Sequence, residues 1–375
     1  MAFIEKPMNE PDDMMAKLQQ ALLLLLRQGL WGKKEDASSL FPLTSEEWQQ
    51  LYASAKKQTV EGLVYDGISL LELPQYPPRF LLIQWTAEID WLERRNRAQT
   101  AMVEALRQQF NGKDTPAFRL LKGQGVAAFY RNPLHRVCGD LDLWFDGTKA
   151  TEQANRHMES LGVKVQRGMG GDSDYTLNGI VIEHHSRLIE LHNPRLKKEI
   201  KDWERKAFAA STDVPHPVAN HLLLSTHILK HLINEGIGLR QLCDAAVALH
   251  ALHGQTDGEE LEHLCRRWHI WKGTRLLYAF LMKYLGLPET DLPFPVKGDA
   301  DALMDEIWEC GNFGHQDVRY GERPEGKWQS KRHTWRIVSH KFPLTLRYAA
   351  GETFWWLYGL GKARLGELFG KNAHQ

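Results

Sequence analysis

Apolar residues recur at helical spacing from early in the chain. Met14, Leu18, Ala21, Leu22 and Leu25 share a face within residues 13–30, with Gly29 as a stop near the end. A second helix is predicted from Ser45, where Glu46 and Glu47 occupy the first turn and Trp48, Leu51 and Ala55 line one face. Pro74–Pro78 interrupts, and a long helix rich in Arg, Gln and Ala is predicted from about Phe80 to Phe110. The pattern changes at the turn cluster Asn111–Pro116. Phe118–Leu121 reads as a short strand, Lys122-Gly123-Gln124-Gly125 as the turn after it, and Val126–Tyr130 as a short helix ended by Arg131-Asn132-Pro133.

Asp140-Leu141-Asp142-Leu143-Trp144-Phe145 alternates, which predicts a strand with one apolar and one carboxylate-bearing face. Residues 148–162 are predicted helical. Tyr175-Thr176-Leu177, Asn178-Gly179 and Ile180-Val181-Ile182 form a hairpin signal, since Asn-Gly suits the positive φ angles of a two-residue turn, and Glu183 continues its second strand. From Val218 onward helices are predicted at His221–Ile233, Leu239–Leu252, Leu261–Leu285, Ala300–Glu309 and Leu344–Phe369. The fold class is therefore α+β. A small mixed sheet within residues 111–215 lies between an N-terminal helical region, 1–110, and a C-terminal one, 216–375.

Composition narrows the class further. The 375 residues hold 43% hydrophobic and 25% charged positions, and Lys+Arg and Asp+Glu balance at 47 each, so a nucleic-acid partner would need a local patch. The four cysteines, 138, 243, 265 and 310, have no CxxC spacing, which fits a reduced cytoplasmic protein rather than a disulfide framework or zinc ribbon. The apolar run Ala21–Leu26 is far too short for a membrane span, and acids in the first residues replace the basic region of a secretory signal.

Two carboxylates two residues apart on one strand point to one face, where they suit divalent ions held against a triphosphate. Asp140 and Asp142 have that spacing, and a third acid from a neighbouring strand would complete the set. The same pattern alone also describes a solvated strand face. Here it follows the strand-and-glycine turn Leu121-Lys122-Gly123, where backbone N–H groups could approach phosphate, and precedes an acid on a hairpin strand. Glu183 is favoured as the third acid over Glu190, which could be an exposed acid on a following segment. Clustered carboxylates would repel without metal, so Asp142→Asn is expected to leave stability unchanged or raised.

The run LLKGQGVAAFYRNPLHRVCGDLDLWF resembles the uncharacterised nucleotidyltransferase family of the DNA polymerase β-like superfamily. The matching pieces are Leu121, Lys122 and Gly123, then Arg136, then Gly139 through Leu143. Ile182-Glu183-His184-His185 is similar to that family's acid-x-His strand, and HILKHLINEGIGLRQLCDAAVAL to its helical element, with His227, Lys230, His231, Gly238, Arg240 and Asp244. The resemblance implies transfer of a nucleoside monophosphate from an NTP to an acceptor hydroxyl or amine, with release of pyrophosphate. It implies Mg2+ or Mn2+ on Asp140, Asp142 and Glu183, and Lys122, Gly123, Arg136, Lys230, His231, Arg240 and Asp244 around the nucleotide. Asp244 is placed to orient Arg240 as an i, i+4 partner. Where the superfamily usually has Gly-Ser or Gly-Gly, this chain has Gly123-Gln124, which offers no serine hydroxyl. Rival readings are a non-catalytic nucleotide- or partner-binding protein of the same fold, or a metal-dependent phosphohydrolase. The acceptor is not identified.

Three further features have bland alternatives. His227 and His231 are four apart, but Ile228 stands where a zinc hydrolase would carry Glu, so buried histidines or phosphate contact are preferred to zinc. Lys327 to Lys341 has five Lys/Arg and no acid, interleaved with Trp328 and Trp335; a solvated basic face is the commoner meaning, RNA binding the alternative. Phe354-Trp355-Trp356-Leu357-Tyr358 is assigned to helical core packing rather than a membrane surface.

Overall fold

A computed structural model describes residues 10–168, 171–314, 317, 319–321, 324 and 326–368. The chain opens with helices α1 (Glu10–Trp31), α2 (Ser45–Lys57), α3 (Glu61–Ile68) and α4 (Arg79–Gln109). Thr44 starts α2 through a reciprocal cap: its hydroxyl accepts from Glu47 N–H, and the Glu47 carboxylate accepts from Thr44 N–H. Gly29 does not stop α1. It lies inside the helix, where a Cβ would fall 1.9 Å from the Leu63 carbonyl, and a Cβ on Gly67 would fall 2.0 Å from that of Leu25. These glycines let α1 and α3 touch backbone to backbone.

The sheet region follows, with β1 (Phe118–Leu120), α5 (Lys122–Ala127), β2 (Leu141–Phe145), α6 (Gly147–Ser160), β3 (Gln166–Arg167), β4 (Ser173–Leu177) and β5 (Ile180–His185). Strand order is β1-β2-β5-β4-β3; β2 and β5 run parallel and the other pairs antiparallel, so the sheet is mixed. Asn178 and Gly179 both take positive φ, 50° and 78°, and close the predicted hairpin in register, Leu177 opposite Ile180. Residues 122–125, predicted as a turn, already belong to α5, which is kinked at Gly123.

The remaining helices are α7 (Lys197–Ala209), α8 (Pro217–Asn234), α9 (Leu239–Ala251), α10 (Gly258–Arg267), α11 (Trp271–Leu285), α12 (Asp301–Cys310) and α13 (Lys327–Leu368). Residues 261–285, read above as one helix, are two, because Trp268, His269 and Ile270 turn the chain and His269 takes φ 61°. Phe369, the predicted end of the last helix, lies outside the described residues.

Two apolar clusters organise the molecule. Leu141, Leu143 and Phe145 turn one face of β2 onto Val103, Leu106 and Phe110 of the α4 end and Ala154 and Met158 of α6. The larger cluster joins α1–α3 with α8–α12, so helices from both ends of the chain share it. Polar contacts secure this junction: Trp31 Nε1 donates to Leu285 O at 2.6 Å, and Gln58 Nε2 to Ile307 O at 2.9 Å. Trp144, facing opposite to its strand neighbours, enters the larger cluster. The carboxylate face of β2 thus looks toward the C-terminal helices. Among the described residues, no helix is long and apolar enough to cross a membrane. On α13, Phe354 and Tyr358 stay exposed instead of entering the core, while Lys341 of the basic tract is buried and donates to Glu235 O at 2.6 Å.

Candidate active site

The parallel pairing of β2 and β5 sets Asp142 directly opposite Glu183. Alternation along β5 sends Ile182 and His184 into the core and leaves Glu183 and His185 on the Asp142 side. One ligand atom each from Asp142, Glu183 and His185 lie within 4.8 Å of one another. Asp140, just before β2, lines the same cavity of about 380 Å³, with Asp172 and Glu190 also on its wall. Leu121 N–H donates to Asp142 O at 2.9 Å, which delivers Lys122 beside the Asp142 carboxylate. Gly123 takes φ 37° and passes close to the Asp140 carbonyl, a conformation a side chain would strain.

The entry to β2 is held by α4. Asn96 Nδ2 donates to Leu134 O and Arg136 O at 2.7 and 2.8 Å, and Gln99 Nε2 to Gly139 O at 2.8 Å. Both side chains are buried inside a mostly polar helix, so these bonds are what fixes the segment carrying Asp140.

Charge in the cleft is compensated internally. Asp142 is 3% exposed and its Oδ1 accepts from Lys122 Nζ at 3.0 Å and His185 Nε2 at 2.7 Å. Burial alone would raise the Asp142 pKa; Lys122 and His185 overcome it and hold the group well below the usual carboxylate range. Burial likewise opposes the His185 imidazolium, but hydrogen bonds to Asp142 and Glu183 win and push it up to about 9. Asp140 moves the other way, raised first by burial and then by the charge of Asp142. The acids therefore do not simply repel. The expectation that Asp142→Asn is stability-neutral or stabilising is corrected, because this carboxylate carries two cationic partners.

The opposite wall comes from α8, α9 and residues 312–314: His227, Lys230, His231, Arg240, Asp244 and Phe313. Lys230 pairs with Glu190, and His231 Nδ1 lies 3.1 Å from Glu235. Arg240 donates to Val137 O at 2.9 Å, while its Nε is buried with no partner. Asp244 is not the partner of Arg240. It takes a two-pronged bond from Arg136, at 2.8 and 2.6 Å, and a bond from Tyr130 Oη at 2.6 Å. Arg136 NH1 is spent on Val137 O and Cys138 Sγ, so four of the five N–H groups of this 4%-exposed guanidinium tie the Asp140 segment to α9 and leave no two-pronged edge for phosphate. The i, i+4 spacing of Arg240 and Asp244 misleads because the planar fork of Arg136, distant in sequence, fits the carboxylate better.

The ten residues that the resemblance assigns to metal or nucleotide all line this one cavity. His185, quoted above in the acid-x-His strand but given no role of its own, lines it too, as does Phe313, which had no local signal. His227 lies edge-on to His231 at 4.4 Å, and burial holds its ring well below the usual pKa.

The model of the family described as uncharacterised nucleotidyltransferase matches residues 44–286. No curated protein and no solved structure matches the chain. The matched segment runs from the cap of α2 through the sheet, both carboxylate-bearing strands and α8–α11, and covers well over half of the 375 residues. The chain belongs to the uncharacterised nucleotidyltransferase family.

Proposed function

We propose that the cleft transfers a nucleoside monophosphate from an NTP to an acceptor hydroxyl or amine, releasing pyrophosphate. The observation that carries this reading is the meeting of Asp142, Glu183 and His185 within 4.8 Å on paired strands, with Asp140 in the same cavity. The donor set suits a divalent cation: the carboxylate oxygens of Asp140, Asp142 and Glu183 are hard ligands of the kind Mg2+ and Mn2+ take, and the Lys122 and His185 contacts show that Asp142 already accepts positive charge there. Bound there, the ion would neutralise triphosphate charge and acidify the acceptor hydroxyl.

The chain's own residues divide the remaining work. Lys122 and Lys230 face the cavity with ammonium groups suited to phosphate oxygens, and Arg240 brings to it a guanidinium whose Nε has no partner in the protein. Gly123 lets backbone come close to the nucleotide. Glu183, the more exposed acid, takes the acceptor proton or shares the metal. Arg136 and Asp244 position the Asp140 segment. The test is incubation of the full chain with labelled NTPs, Mg2+ or Mn2+, and cell extract as acceptor source. Pyrophosphate release with a labelled acceptor is expected, and is lost in Asp142→Asn. Release of inorganic phosphate would assign the cleft to hydrolysis, and binding without turnover to a non-catalytic nucleotide protein.

A further inference from the structure

A second cavity, of about 280 Å³, takes no part in the chemistry above. It is walled by the exits of β2 and β5, the first turn of α6 and one side of α7. The first N–H groups of a helix have no partner within it and carry the positive end of its dipole. In α6 they stay uncapped, because Asp146 stands at the N-cap and its side chain makes no cap bond. Ser186, just past β5, is an independent sign of a ligand. It is 3% exposed, and its buried Oγ has no hydrogen-bond partner. A buried hydroxyl is seldom left that way. A Cβ on Gly171 would fall 3.0 Å from Ser186 Oγ and 3.1 Å from Thr148 Cγ2, which sets the hydroxyl beside the first turn of α6. Ser186 N–H is held by Asp172 Oδ1 at 3.3 Å, so the residue is fixed there.

The charges around these donors decide what they would bind. Lys149 and Lys201 line the cavity, and neither makes an ion pair among the described residues. The two acids on the wall are already engaged. Asp146 Oδ1 lies 4.0 Å from Arg205 Nε, and Glu204 Oε1 accepts from Leu188 and Ile189 N–H at 2.9 and 2.6 Å. The balance favours an anion. Donors converge from α6, the β5 exit and α7, which suits the several oxygens of a tetrahedral phosphate better than the two of a carboxylate. The volume falls just under the ~300–1,000 Å³ of small-molecule sites, so the ligand is small. We infer that this cavity binds a phosphate group, free or carried by a small molecule, with the α6 N–H groups and the Ser186 hydroxyl donating to its oxygens and Lys149 and Lys201 balancing its charge. The site is separate from the NTP cleft and stands whether or not nucleotidyl transfer does.

The test is titration calorimetry of the full chain in chelator at constant ionic strength, with inorganic phosphate, ribose 5-phosphate and ribose as probes. Proteins are wild type, Ser186→Ala, Lys201→Gln and, on the wall of the other cleft, Lys230→Gln. Ser186→Ala removes only an unpartnered hydroxyl, so its melting temperature should be unchanged or raised. Lys201 is exposed, so its variant should fold in any case. A hydrogen bond to a charged group corresponds to about 10- to 150-fold in affinity. Wild type should bind a phosphate compound and not ribose. Ser186→Ala should weaken that binding within this range, Lys201→Gln should weaken it by less, and Lys230→Gln should leave it unchanged. Tighter binding of ribose 5-phosphate than of inorganic phosphate would assign the site to a phosphorylated molecule, and the reverse to free phosphate. The site is overturned if wild type binds neither, if Ser186→Ala and Lys201→Gln bind as well as wild type, or if Lys230→Gln loses what they keep.

Discussion

Asp142→Asn is expected to destabilise the metal-free protein by about 2–4 kcal/mol, a loss that shrinks as pH rises. The carboxylate is 3% exposed and accepts from Lys122 at 3.0 Å and His185 at 2.7 Å, both on Oδ1. His185 moves from 6.5 to about 9, a shift worth about 3 kcal/mol at ~1.4 kcal/mol per unit, of which Asp142 supplies the largest favourable part. A histidine pKa raised by folding adds stability that is fully present below about 6.5 and is lost as pH climbs through about 9. The amide keeps the shape but removes the charge, so Lys122 and His185 face each other with Glu183 as the nearer compensation. Unfolding entropy near ~2.1 cal/mol/K per residue over 375 residues converts the loss to roughly 3–5 °C in melting temperature. Urea and thermal unfolding in chelator at pH 6, 7.5 and 9.5 measure it, with wild type and variant side by side. The reasoning fails if the variant melts at or above wild type, or if the gap is the same at all three pH values.

Asp244→Ala should cost about 3–5 kcal/mol in urea unfolding, since it strands the buried Arg136 guanidinium; a loss under about 1 kcal/mol would dismiss the pair as an anchor. Gly29→Ala should cost about 3 kcal/mol, because the new methyl meets the Leu63 carbonyl at 1.9 Å, and an unchanged melting temperature would refute the close α1–α3 contact. Glu204 is buried, which lifts its carboxyl to about 7 despite bonds from Leu188 and Ile189 N–H. Its contribution is therefore present below about 4.5 and lost as pH rises through 7, and Glu204→Gln should flatten that part of the wild-type stability profile. Arg240→Lys keeps charge and loses the fork, so NTP affinity should fall about 10-fold with unfolding unchanged; equal affinity by calorimetry would return Arg240 to a packing role.

Much of the sheet was legible because its signals are local. The period of two in Asp140–Phe145 gives β2 and its faces, and Asn178-Gly179 gives the turn that makes β5 a strand. From there Glu183 is favoured over Glu190 because it stands on a strand. What local pattern cannot supply is the pairing itself. That β5 lies parallel and adjacent to β2, so that Asp142 meets Glu183 and His185 together, is a tertiary choice. The same limit hid α3 and α7. The first is short and carries Gly62 and Gly67, which look like breakers until the His135 carbonyl is laid against the one and α1 against the other, and the second is mostly charged with only Ile200, Glu204 and Ala207 buried. The break at Trp268-His269-Ile270 contains no proline or glycine. Its cause is the full burial of Trp268 and Ile270 on either side of a left-handed His269, again a matter of packing.

The two ion pairs of the cleft differ in how firmly they are held. Arg136 and Asp244 are each 4% exposed and joined by two parallel bonds, with Tyr130 filling a remaining acceptor site. Moving either would leave a buried charge uncompensated, so this pair is a fixed strut between the β2 entry and α9. Lys122 meets Asp142 through a single contact and is 20% exposed on a flexible stem. An ammonium of that kind can leave one oxygen for another at little cost in geometry. Asp142 therefore stays ionised and ordered, and on the nucleotidyl-transfer reading proposed above Lys122 is the group that would turn from the carboxylate to a phosphate once a metal cation reaches Asp142. The rigid pair sets where the acids stand, and on the same reading the loose pair would let the site take a metal ion in place of the ammonium without rebuilding its walls.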